Sequence, residues 1–80
     1  MKLMSWLCFW VEIFDAHSAL SLAESEARRH NKKEANRFLH EALNSINSAY
    51  EQGQFGPRAV AAKGRVLIKY NALNRRVNAY

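Results

Sequence analysis

The sequence predicts an all-α fold, an antiparallel bundle of three helices at about residues 3–30, 32–52 and 57–78, forming one domain over residues 1–80. Three observations carry that reading. Breakers are scarce, with three Gly and one Pro in 80 residues, so regular helix can run far. Apolar residues recur at steps of three and four rather than two. Two of the glycines and the proline gather within residues 53–57, where they separate two periodic stretches and mark a turn.

The first helix opens on the most apolar part of the chain. Within residues 1–14 only Lys2, Ser5 and Glu12 are polar. Trp6, Phe9, Ile13, Ala16, Leu20, Ala23 and Ala27 then follow one another at alternating steps of three and four, the seam of a helix packed along another helix. One unbroken helix explains all seven. A break between Asp15 and Ser21 is the alternative, since Ser21 followed by Glu24 has the form of a capping box. The first half also carries a second stripe, Leu3, Leu7, Trp10 and Phe14, about 100° around from the seam at 100° per residue. Either helices of the same chain cover both faces, or a partner covers the second, which makes these four residues the candidate partner interface.

The same residues bear on a targeting or membrane role for the segment 1–14. Lys2 before an apolar run resembles the opening of a signal peptide, but Glu12 and Asp15 fall where that region should be cleanest. A spanning helix needs about 20 apolar residues, and here the run breaks sooner. An interfacial position stays open, because Trp and Phe suit the lipid boundary. The only cysteine, Cys8, excludes an internal disulfide, reads as a small apolar residue and fits a reducing, cytoplasmic setting.

Residues 28–34 form a polar junction with no apolar residue to hold a packed face, so the chain is expected to turn there. Asn31 with Glu34 three residues on supplies an N-terminal cap; no Gly or Pro marks the spot, and a straight continuation is the alternative. The second helix has one apolar stripe, Ala35, Phe38, Leu39, Ala42, Leu43, Ile46, Ala49 and Tyr50. Its Ala35–Leu43 segment resembles the second helix of a tetratricopeptide unit over under a quarter of the chain, without the repeat, and implies nothing about activity. Gly53 suits a helix C-terminus, Pro57 the first turn of the next helix, and Phe55 a plug at the end of the core.

The third helix places Ala59, Ala62, Val66, Tyr70, Leu73, Val77 and Tyr80 on its core face. A separate basic ridge of Arg58, Arg65, Lys69 and Arg76 returns to nearly one angle at 3.6 residues per turn. Val60, Leu67 and Ile68 lie outside both. Gly64 costs this helix about 1 kcal/mol relative to alanine and would admit a close neighbour. From these lengths, seven or eight residues of the first helix should project beyond the second, and an exposed apolar patch of that kind marks a protein or membrane contact.

No phosphate loop, paired metal-ligating cysteines or nucleophile motif is present. Glu26, His30 and Glu34 could meet only if one helix ran through the junction, and they read better as a surface charge cluster than as a metal site. The expectation is therefore a non-catalytic protein with no metal, cofactor or small-molecule substrate. It would act through the N-terminal helix face, on itself or on another protein, as a small subunit, adaptor or steric inhibitor of the kind small phage or plasmid proteins provide. Two alternatives compete: nucleic-acid binding, from a formal charge of +5, a pI near 9.8 and the basic ridge; and a peripheral membrane protein with residues 1–14 at the lipid interface.

Overall fold

A computed structural model describes the backbone of residues 2–51 and 56–79, and the side chains of residues 7–50 and 56–79. It consists of three helices, α1 (Lys2–Arg28), α2 (Lys32–Glu51) and α3 (Pro57–Val77), and no strand among the described residues. They pack as an elongated up-down-up bundle measuring 43 × 18 × 15 Å. The first helix is unbroken through Asp15–Ser21, and the seam holds it there. Phe9, Ile13, Ala16, Leu20 and Ala23 are all buried, joined by Ala19. Trp6, Phe55 and Tyr80 fall outside the described side chains, as does Gly53 outside the described backbone.

The chain does turn after α1, without glycine. His30 takes the left-handed conformation at φ 61°. This lets the His30 N–H donate to the Ala27 carbonyl (3.1 Å) and the Asn31 N–H to the Glu26 carbonyl (2.9 Å), the paired bonds that close a helix whose last carbonyls would otherwise lack donors. Asn31 then serves the next helix: its side-chain oxygen accepts from the Glu34 N–H at 3.4 Å, while its amide donates to the Glu26 carboxylate at 3.1 Å. One residue thus closes α1 and caps α2.

Alanine determines how the first two helices meet. Ala16, Ala19 and Ala23 of α1, and Ala35, Ala42 and Ala49 of α2, are buried. With side chains this short the two backbones approach closely along most of α2, and α1·α2 is the most extensive contact of the bundle. Leu39 and Ile46 fill the space between the alanine layers. The third helix lies more lightly on this hairpin, through Ala59, Ala62, Val66 and Leu73. Its far end is fastened by polar contacts, Arg76 to Glu24 of α1 at 3.4 Å and Asn78 to Asn36 of α2 at 2.9 Å.

Two features of α3 differ from the periodic reading. Lys63, a charged residue, is only 4 % exposed; its stem runs through the apolar layer and its ammonium lies over aromatic rings. Gly64 is expected from the sequence to admit a close neighbour, but among the described residues nothing beyond its own helical turns lies within 4 Å of where its Cβ would stand. No described contact between helices uses the glycine.

Candidate interaction surfaces

Twenty-seven residues of α1 against twenty of α2 leave seven, or about 10 Å at 1.5 Å per residue, beyond the level of the last turn of α2. Phe9, fully buried, is the first described seam residue that the bundle covers. On the opposite side of α1 the structure leaves a line of apolar side chains in the open: Leu7 (49 % exposed), Val11 (55 %), Phe14 (71 %) and, two turns on, Leu22 (49 %). The steps of four and three from Leu7 to Phe14 keep them within a narrow arc. Exposed Ser18, Ser21 and Ser25 continue the same face toward Arg28.

This line overlaps the stripe read from the sequence without coinciding with it. Leu7 and Phe14 are exposed as expected, whereas the Leu3 side chain lies outside those described. Trp10 is the correction: it is half-buried, packs against the core and meets Phe9 edge-on, ring centroids 5.0 Å apart and planes 87° apart. An indole is long enough to reach the core from an offset at which a leucine would stand in solvent. Val11 and Leu22, which the heptad reading passed over, take its place on the outer face. Cys8 is exposed rather than packed.

The basic ridge lies as the spacing places it. Arg58, Arg65, Lys69 and Arg76 are exposed, and the last two line, with Leu20, Ser21, Glu24 and Leu73, a groove between α1 and α3. Arg76 is paired to Glu24 there. His17 of α1 sits beside the same groove; its pKa is lowered from the usual histidine range by burial and then by the charges of Lys69 and Arg65. At neutral pH the ridge therefore borders a neutral imidazole. Charge is sharply segregated: α3 carries six basic residues and no acidic one, in a chain of net +5, so the remainder sums to −1.

Among the described residues no three His, Cys, Asp or Glu side chains stand close enough to hold a metal ion; Glu26, of the Glu26, His30 and Glu34 trio, is engaged by Asn31 and by Arg29 at 3.7 Å. Nor is any described helix long and apolar enough to cross a membrane. Comparison with protein-family models, with curated proteins and with solved structures gave no match to this chain.

Proposed function

We propose that this protein is a non-catalytic interaction module whose outer α1 face docks a protein partner presenting an apolar helix face of its own, a second copy of the chain being the first candidate. The observation that supports this is the line Leu7, Val11, Phe14 and Leu22, directed away from the core, with Phe14 71 % exposed. Single exposed apolar residues need no explanation, but Leu7, Val11 and Phe14 stand one turn apart, and a contiguous patch of that kind marks a contact surface. The spacing from Leu7 to Phe14 is that of a helix–helix seam.

Magnitude sets what to look for. Covering the open half or more of these four side chains is worth on the order of 1 kcal/mol each, roughly 8 kcal/mol for a symmetric pair. Association itself costs about 4 kcal/mol or more, which leaves a dimer in the millimolar range, tighter only where residues 1–6 add to the contact. Sedimentation equilibrium over a wide concentration range is therefore the test. Mass should rise with concentration, and Val11→Glu with Phe14→Glu should abolish the rise while leaving the circular dichroism unchanged. A wild-type chain monomeric throughout would remove self-association; binding of a heterologous partner that survives both substitutions would remove the α1 face altogether.

A further inference from the structure

We propose that the exposed basic ridge of α3 is a binding surface for the phosphate backbone of nucleic acid, with Arg58, Arg65, Lys69 and Arg76 as the phosphate-contacting side chains. The inference does not depend on the α1 face, which lies on the side of that helix away from the core, whereas the ridge borders the groove between α1 and α3.

Two observations converge on it. The whole positive balance of the chain resides on this one helix, which has no acidic residue. Of its six basic side chains, Lys63 is buried and Arg76 has an acidic partner, Glu24 at 3.4 Å. Arg58, Arg65, Lys69 and Arg75 are exposed and make no ion pair among the described residues. Bringing like charges onto one face with Glu24 as the one acidic partner among the described residues costs self-repulsion, which a polyanion relieves.

The geometry also fits. From residue 58 to residue 76 the ridge runs about 27 Å at 1.5 Å per residue, the axial length of about eight base pairs at 3.4 Å per step. The contacts are seven, four and seven residues apart, so a straight, evenly charged polymer can meet all four from one side. Ala61 and Ala72, exposed beside the ridge, are too short to hold a backbone away from the guanidinium groups. Three of the four residues are arginine, whose planar fork matches phosphate. Nothing along the ridge offers a set of side chains that reads base edges, so the surface takes backbone without regard to sequence.

Salt dependence gives the surface a signature. Four phosphate contacts imply a slope of log affinity against log salt near −3.6 for a duplex, on the order of a hundredfold loss of affinity from about 50 to about 200 mM salt. The experiment is fluorescence anisotropy with a labelled duplex of about 25 base pairs and a single strand of the same length, read across that salt range. Arg65→Ala with Lys69→Ala should lower the slope by roughly 2 and weaken binding at low salt at least tenfold. The charge-matched pair Lys33→Ala with Arg37→Ala, on α2, where Arg37 pairs with Glu34 and Glu41, should do much less.

Equal losses from the two pairs would overturn the proposal, since net charge alone would then be responsible. So would absence of binding to either nucleic acid at low salt, or equally tight binding to poly-glutamate of matched charge. Binding to vesicles of anionic lipid, lost with the ridge variant while both nucleic acids fail to bind, would assign the ridge to a membrane surface instead. Circular dichroism of each variant keeps a folding defect from being read as a binding defect.

Discussion

The ammonium of Lys63 lies 4.5 Å from the centre of the Tyr50 ring, and 5.9 Å from that of Phe9, in a residue only 4 % exposed. This contact joins all three helices at the end of the bundle where the long helix begins to project. An ammonium over an aromatic face gains about 0.5–2 kcal/mol, more as water is excluded, and the lysine stem adds apolar packing of its own. Lys63→Ala loses both and should cost about 2 kcal/mol. Lys63→Met keeps the stem volume and removes the need to solvate a charge, so it should change stability by less than about 1 kcal/mol. Urea denaturation of the two variants checks this; an alanine variant as stable as the methionine one would show that the stem contributes nothing.

Much of this architecture was legible from the sequence because helices obey a simple period. The seam of α1, the stripe of α2 and the core face of α3 each follow steps of three and four, and buried Phe9, Ile46 and Val66 lie where those steps place them. The polar junction was legible for the same reason, since no apolar residue there could support a packed face. What escaped was decided by side-chain reach rather than by angle. Trp10 and Lys63 both sit off the seam, and each is long enough to lay its body against the core from there. Val11 was passed over because a stripe chosen for its largest residues ran through Trp10 instead. The ridge on α3 was visible as spacing; its lack of ionic partners among the described residues, Arg76 apart, depends on where the acidic residues of α1 and α2 come to lie.

His17 makes stability depend on pH in a defined direction. Burial, and then the charges of Lys69 and Arg65, lower its pKa in the folded chain below the usual 6.5. The unfolded chain therefore takes up the proton first as pH falls, and stability drops as pH goes down through 6.5 toward the lower folded value. Above 6.5 both states are neutral at this site and the dependence vanishes. Urea midpoints at about pH 7.5 and about pH 5.5 should differ more for the wild type than for His17→Gln, the remainder belonging to other groups. Equal pH dependence in both proteins would mean that His17 titrates alike folded and unfolded.

The turn after α1 stores strain that a single substitution can release. A non-glycine residue in the left-handed region costs about 1 kcal/mol, and His30 stands there at φ 61°. Its side chain is exposed, so removing it forfeits little packing. His30→Gly should raise stability by up to about 1 kcal/mol, reduced by the greater freedom that glycine gives the unfolded chain. Asn31→Ala should move stability the other way by about 1 kcal/mol, because Asn31 caps α2 through the Glu34 N–H and also donates to Glu26. Thermal unfolding of both variants tests the pair; a loss on His30→Gly would place the strain elsewhere.

Gly64 offers the complementary case within a helix. It lies inside α3, at seven residues from Pro57, with no described residue beyond its own helical turns within 4 Å of where a Cβ would project. A helical glycine costs about 0.5–1 kcal/mol relative to alanine, and no tight contact among the described residues offsets that cost. Gly64→Ala should therefore stabilise the isolated chain by about that amount, seen as a higher urea midpoint with an unchanged slope. The residue also stands between Val60 and Ile68, which are 47 % and 70 % exposed one turn to either side. If nothing docks against that face, the added methyl should leave every binding measurement as it was. A variant that is more stable alone yet weaker in self-association or in nucleic-acid binding would show that the glycine is kept for an approach made by another molecule. A destabilised Gly64→Ala chain would instead contradict the open space described around it.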